Sequence, residues 1–571
     1  MTQPHRRRLV PAVMIWLAGL APAGLFADSA DLPDGFAGAY LAARQAAISA
    51  DFDVAAQSYT EVLVRDPSNP ANLENALLAY VAIGRVESAL PLAQKLLGLA
   101  PENPLAALVV LAGKIKTRQF GAVVADFRAA TQVGTLVDTL LLAWAQLGQG
   151  YVPEAMLAFD EVITQPQTAA FGLYHKAMAL ASVGDFEQAD ALLSDGRATP
   201  TRGAILAHVS ILSQLERNAD AIALLKGRFD PDMDPQLRAL RDQLVAGKTL
   251  RFDAVRTPVD GMAEVFLSVA EVLATEPADG SALINARIAQ YLRPTLTDAT
   301  LLSAEMLAER EQYDLASSTY EQVQADDPAF VRAELGRADA LFRDDQRAEA
   351  LNAMRALTKR FADIPAVHVT LGDMLRRDEQ FAAATPVYDT AIALLGEARP
   401  GHWRVYYTRG ISHERSGRMD LAEVDMRMAL KLNPGQPDVL NYLGYAFIDE
   451  NRNLDEAMDM IQRAVAARVD NGAIVDSLAW ALFRLGRYDE AIEPMERAAT
   501  LEAVDPIVND HLGDVYWAVG RKREAEFQWH RALSFDPEPD EAKRIRRKLE
   551  IGLDAVLREE GAPPLLALPQ K

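Results

Sequence analysis

The sequence predicts an all-α chain: a solenoid of about fourteen stacked helical hairpins, in two blocks, closed by a C-terminal capping helix. Three observations predict it. The stretch "DSLAWALFRLGRYDEAIEPM" (Asp476 to Met495) has a near copy 34 residues on, "DHLGDVYWAVGRKREAEFQW" (Asp510 to Trp529). Each copy holds two apolar stripes at three- and four-residue spacing, such as Leu478, Leu482 and Leu485, then Ala491, Met495 and Ala498, the pattern of helices buried along one side. A glycine, Gly486 or Gly520, parts the stripes, where a left-handed turn is cheap.

From the N-terminus, residues 1–27 read as a secretory signal peptide: a basic start at His5 to Arg8, a 13-residue apolar run from Leu9 to Ala21, and small residues up to Ala27. Cleavage is expected after Ala27, with Ala23 second. The run is short for a membrane span, which needs about 20 residues. The mature chain is therefore expected in the periplasm with no stable membrane span; the alternative is an uncleaved segment that anchors it to the inner membrane.

Second-helix markers at Ala55, Ala89, Val123, Ala155, Ala189 and Ala221 lie 32 to 34 apart and define an N-terminal block over 36–230, about six hairpins. The next marker, Ala282, comes 61 residues later, and "AGKTLRFDAVRTPVDGMA" (Ala246 to Ala263) shows no helical period. Residues 231–262 are thus expected to be an irregular connector, with one helix from Pro235 to Val245 and a loop across the groove. Markers from Ala282 to Ala525, 34 or 35 apart with one interval of 38, give about eight hairpins over 263–538. Small residues 12 or 13 positions earlier, Ala270 through Gly513, fall where paired helices touch. Pro91, Pro386 and Pro494 sit in second helices, expected near their first turns, where a missing N–H costs least. Residues 539–560 read as the capping helix, because an open stack needs a polar-faced end. Its basic run, Lys543 to Lys548, is expected to be solvated, with anionic lipid or an acidic partner as the other reading. Residues 561–571 read as a disordered tail.

Thirty-four residues, two helices and the order L-G-x-x-Y, A-x-x-x-F, P resemble the tetratricopeptide repeat, matched in one unit at Leu512, Gly513, Tyr516, Ala525, Trp529, Ala532 and Pro537. The resemblance implies a right-handed superhelix whose concave side, lined mainly by first helices, binds proteins. In layout the chain also resembles large envelope repeat proteins of proteobacteria, among them a lipid-anchored adaptor that delivers substrates to a periplasmic C-terminal processing protease. The lipid-bearing cysteine of that adaptor has no counterpart here, since the chain has no cysteine.

Composition narrows the function further. With 80 acidic and 58 basic residues the net charge is −22, which argues against nucleic acid as a partner, because phosphate binding needs a concentrated basic face. Without cysteine there is no disulfide, thiolate metal site or cysteine nucleophile. "AGKT" (Ala246 to Thr249) fails as a phosphate loop because Asp242 stands where glycine is required. The eight histidines are scattered singly, and no metal site or cofactor is expected. The function expected is a non-catalytic scaffold or adaptor in the cell envelope that binds other envelope proteins or unfolded, basic peptide segments. Assembly of a polysaccharide or pilus export machine is the alternative, and a repeat-containing enzyme ranks below both. Oligomeric state is not legible.

Equivalent places on successive first helices carry Tyr407, Asn441 with Tyr445, Asp476 with Trp480, and Asp510 with Asp514, followed one turn on by Phe483 and Trp517. The family resemblance puts them on the concave side. Aromatic anchors of this kind contribute roughly 2 kcal/mol each as hot spots. Asp476 and Asp510 are expected in an open groove, on the ground that a carboxylate has no place in a contact between hairpins. Trp480 is divided evenly between groove and contact.

Overall fold

A computed structural model describes residues 36–129, 134–198, 201–229, 234–275 and 280–565. The signal-peptide expectation and residues 566–571 of the tail lie outside them. The helices fall into two compact units. The first covers 36–378 with Ala393–Leu395. It opens with α1 (Phe36–Ile48) and α2 (Phe52–Arg65), α3 (Pro70–Ala82) and α4 (Val86–Leu99), α5 (Pro104–Lys116) and α6 (Phe120–Ala129), α7 (Thr135–Gly148) and α8 (Val152–Thr164), α9 (Ala169–Ser182) and α10 (Phe186–Leu193), and α11 (Arg202–Gln214) and α12 (Asn218–Arg228). The lone α13 (Pro235–Val245) and a loop lead to α14 (Pro258–Leu273) and α15 (Ser281–Leu292), α16 (Thr297–Glu309) and α17 (Tyr313–Tyr320), α18 (Phe330–Arg343) and α19 (Arg347–Arg360), and α20 (Pro365–Arg377). The second unit holds most of α21 (Phe381–Leu395), then α22 (Trp403–Glu414) and α23 (Met419–Leu432), α24 (Pro437–Asp449) and α25 (Leu454–Ala467), α26 (Gly472–Arg484) and α27 (Tyr488–Leu501), α28 (Pro506–Ala518) and α29 (Lys522–Leu533), and α30 (Pro539–Ile551) and α31 (Leu553–Glu559).

Local chemistry sets these boundaries. Proline occupies the first turn of α3, α5, α24 and α28, where its missing N–H is unneeded. Asn69, Asn103 and Asp505 accept hydrogen bonds from the exposed backbone N–H groups beyond them, as N-caps do. The turns within hairpins use a left-handed residue: glycine at Gly84, Gly150, Gly184, Gly417, Gly486 and Gly520, and elsewhere Arg118, Glu216, Glu311, Asp345 or Asn451, where an L side chain tolerates the strain. Paired helices touch at small residues: a Cβ on Gly513 would come within 2.4 Å of the Trp529 ring. Pro91, Pro386 and Pro494 lie in the second turns of their helices, later than expected, and each helix runs on through them.

Two sequence expectations are corrected. Residues 258–262, read as irregular, form the first turn of α14, closed by a capping box between Thr257 and Asp260. They hold Pro258 and Gly261, which read as breaks in a sequence, but the proline falls in the first turn, where its missing N–H is unneeded. The capping helix is likewise two helices. Gly552 breaks it at φ +80, where a Cβ would meet the Trp517 ring at 2.5 Å, so α30 and α31 form a further, shortened hairpin.

In the first unit the first helices α3, α5, α7 and α9 pack on α14 and α15. One core runs from Leu73 through Trp144 to Phe266 and Ile288. Gly261 of α14 lets the Trp144 ring lie against its backbone, 2.3 Å from where a Cβ would stand. Arg287, 2% exposed, donates to the Ala82 carbonyl at the end of α3 (2.9 Å) and to Thr319 Oγ1 (3.0 Å); burial lowers it to about 10. Lys116 in turn donates to the last carbonyls of α15, Tyr291 (2.6 Å) and Leu292 (3.2 Å), so each cation sits at a helix C-terminus, the negative end of its dipole. Tyr174 of α9 donates to Glu264 of α14 (3.0 Å), with Arg293 3.6 Å away. Burial still holds the Glu264 carboxyl up at about 7, Arg293 and the tyrosine bond pulling only partway back.

Candidate functional site

In the second unit the first helices α24, α26 and α28 lie side by side, and the nine residues singled out by sequence stand on them or on α22. Four are buried: Asn441 (3% exposed), Asp476 (3%), Phe483 (7%) and Asp514 (1%). The expectation that the carboxylates line an open groove is corrected. Asp476 holds His511 of the next first helix, Nδ1 standing 2.9 and 3.1 Å from its two oxygens. Asp510 and Asp514 both take Lys548 of α30, at 2.7 to 2.9 Å and 2.6 to 2.8 Å. Asp514 also accepts from Trp529 Nε1 at 3.0 Å. A carboxylate does belong in a contact between hairpins when the next hairpin brings the cation, because a buried charge persists only when paired.

These pairs set the electrostatics. Burial raises the Asp510 carboxyl, Asp514 adds to this, and Lys548 opposes it. Burial alone would lower His511; the charge and hydrogen bond of Asp476, with the charges of Asp510 and Asp514, leave it above its ordinary value. Basic residues of α30, read from sequence as a solvated face, are largely engaged. Lys548 has a fully buried side chain, Arg544 pairs with Glu560 (2.8 Å) and Arg547 with Glu559 (2.6 Å). The missed partners, His511 and Lys548, had a signal: each follows its acid by one repeat, 35 residues after Asp476 and 34 after Asp514.

Five of the nine remain half-buried: Tyr407, Tyr445, Trp480, Asp510 and Trp517. The four aromatic ones fall one to each of α22, α24, α26 and α28. Trp480 stacks flat on His511 (centroids 3.9 Å, planes 13° apart) and on Phe483 (4.8 Å, 13°), so it serves the contact and still presents surface. Tyr407 meets Tyr442 edge-on at 6.0 Å, and Tyr442 donates to Glu414 at 2.8 Å. Tyr445 is raised by burial and by Asp476 and Asp449 beside it. Trp517 is held by Asp554 through its Nε1 (2.8 Å) and by Lys522 over its ring (4.5 Å). The rings of Tyr407, Trp480 and Trp517 are thus fixed in orientation by neighbours, which lowers the entropy lost when a partner packs on them.

Comparison with known proteins agrees with the repeat. The Tetratricopeptide repeat family matches residues 37–104, 335–402, 369–437, 407–473 and 443–506, windows that take in the helices α22 to α27 entire. The TPR repeat-containing protein PA4667 of Pseudomonas aeruginosa is 28% identical over 221 residues, 38% of this chain; the match spans 36% of that protein's length. Among solved structures, the APC/C hetero-tetramer Cut9–Hcn1 is similar at TM-score 0.39 and 15% identity, over 91% of this chain and 96% of that one. A tetratricopeptide repeat protein from Parabacteroides merdae is similar at TM-score 0.37 and 14% identity, over 44% of this chain and 97% of that one.

Proposed function

The chain carries tetratricopeptide repeats, and from that premise we propose that it is a non-catalytic scaffold or adaptor of the bacterial cell envelope, holding a partner segment against the second unit. The observation that carries this reading is the row of half-buried rings, Tyr407, Tyr445, Trp480 and Trp517, one on each successive first helix. Aromatic rings held rigidly and partly desolvated are favoured binding anchors. Their electron-rich faces suit a neutral to basic segment more than an acidic one. The apolar run before residue 28 supports export, and the likeness to envelope repeat proteins supports presentation of substrates to a periplasmic protease.

Substituting Tyr445→Ala and Trp480→Ala together tests the row. Recovery of partners from an envelope extract is expected to fall by more than about tenfold, since hot-spot rings contribute roughly 2 kcal/mol each, while far-ultraviolet circular dichroism stays unchanged. Undiminished recovery sinks the row as the binding surface. Recovery of a protease with its substrates supports the adaptor; recovery of exporter subunits replaces it with machine assembly. N-terminal sequencing checks export: a mature chain starting near Asp28 supports the periplasm, and an intact Met1 the anchored alternative.

A further inference from the structure

Two junctions of the second unit are built alike and closed differently. Between α28 and α30 the half-buried Asp510 and the buried Asp514 meet Lys548, with Arg544 3.7 to 3.8 Å from both. An ammonium and a guanidinium keep their charge across the ordinary pH range. Between α26 and α28 the cation on Asp476 is His511, the side chain whose ordinary titration lies nearest neutrality. The side chains of Asp476 and His511 are 4% and 12% exposed, and the imidazole lies flat on Trp480. The groups around the pair are fixed in number: Tyr445 from α24, Asp510 and Asp514 from α28, and Lys548, Arg544 and Glu541 from α30. Lys548 bonds both Asp510 and Asp514, and Arg544 is shared between them and Glu560. The charge of Asp476 is left to His511.

We propose that the joint between α26 and α28 is proton-sensitive: with its proton His511 closes the joint as a neutral ion pair stacked on Trp480, and without it Asp476 becomes an uncompensated buried charge and the α28 hairpin loosens from α26. A neutral imidazole protonated at Nδ1 still donates to Asp476, so the joint weakens and does not vanish. The direction follows from linkage. The folded chain holds the His511 proton above the ordinary histidine value of 6.5. The contribution of the pair is therefore complete below about 6.5 and is lost as pH rises through the higher folded value. The loss falls on the helices that carry Trp480 and Trp517, so the spacing of the aromatic row is set by proton concentration whether or not a partner is present.

Hydrogen exchange of the intact chain, read by mass spectrometry at about pH 6 and about pH 8.5 and corrected for intrinsic amide rates, tests this. In the wild type, protection across α28 and α29 is expected to fall by about tenfold or more at the higher pH, read against α25 of the same unit as the internal reference. Asp476→Asn is expected to flatten the response, because loss of the histidine proton then strands no charge. His511→Gln is expected to be equally flat. Wild-type protection that is equal at the two pH values overturns the proposal, and so does a full response that persists in Asp476→Asn. If His511→Gln fails to fold, the wild type and Asp476→Asn decide between them. No partner enters the measurement, so failure of the binding row leaves its outcome untouched.

Discussion

The two units cover the inner sides of their first helices by opposite means. In the first, α3, α5, α7 and α9 are closed off by the chain's own hairpin, α14 and α15, in one apolar core. In the second, α24, α26 and α28 are joined to one another by polar pairs, Asp476 with His511 and Asp510 and Asp514 with Lys548, and half-buried rings stay at the surface. An apolar closure is held mainly by burial, whereas a polar ladder holds register while leaving a surface to be used. This difference explains why binding is assigned to the second unit: there the rings are not already spent on the chain's own core.

The largest expected effect breaks the first closure. Trp144→Ala removes a fully buried indole from between α7 and α14 and is expected to destabilise the first unit by about 3 to 5 kcal/mol. Exchange protection should collapse across α3 to α15 and leave α24 to α29 as before; equal loss in both units would refute their independence. Lys548→Met breaks the second closure by a similar amount, about 3 to 5 kcal/mol, because two carboxylates lose their cation. Adding Asp510→Asn and Asp514→Asn to Lys548→Met should restore much of the loss in denaturant midpoint. If it does not, the lysine acts by packing and not by charge.

The first unit also holds a titration. Glu264 stands at about 7, up from the ordinary 4.5, so the folded chain keeps its proton through a range where the unfolded chain has lost it. The sign follows: stability from this group is complete below about 4.5 and is lost as pH rises through about 7, on the order of 3 kcal/mol in all. Glu264→Gln should reduce the pH dependence of the first unit's unfolding between these limits, the remainder belonging to Glu271 of α14, whose carboxyl burial also holds up at about 7. A wild-type midpoint that rises with pH in that window would mean Arg293, 3.6 Å away, governs the carboxyl instead.

The hairpins were legible in the sequence because a stripe, a turn and a small residue recur in each. Leu478, Ala479 and Ala491 could be given stacking roles from spacing alone. The hairpin of α14 and α15 was legible from its markers Ala270 and Ala282, but its packing against α3, α5, α7 and α9 was not, since a single buried arginine, Arg287, looks like a surface residue until its carbonyl partner on α3 is known. The site was half legible. Spacing placed Tyr445, Trp480 and Trp517 on successive first helices, but assigned Asp476 and Asp510 to a ligand, because the rule applied to each acid alone. Charges in a repeat array have to be read one period apart, where His511 and Lys548 wait.

The smallest of the expected effects isolates the fit of α14 against α7 from its chemistry. Gly261→Ala adds one methyl group where the Trp144 ring lies 2.3 Å from the Cβ position, and helix propensity by itself would favour alanine by roughly 1 kcal/mol. Overpacking of a close contact typically costs about 1 to 3 kcal/mol, so the net sign depends on whether the indole can move. Trp144 is fully buried and its Nε1 faces His175 Nδ1 at 3.4 Å, with Phe159 edge-on at 5.6 Å. A ring confined on these sides has little room to yield, and the expected outcome is a lower midpoint for the first unit alone. Trp144→Phe combined with Gly261→Ala should be less than additive, because the smaller ring makes the room the methyl needs. A Gly261→Ala chain more stable than wild type would show that α14 docks loosely, and the contrast between a sealed first unit and an adjustable second one would then have to be withdrawn.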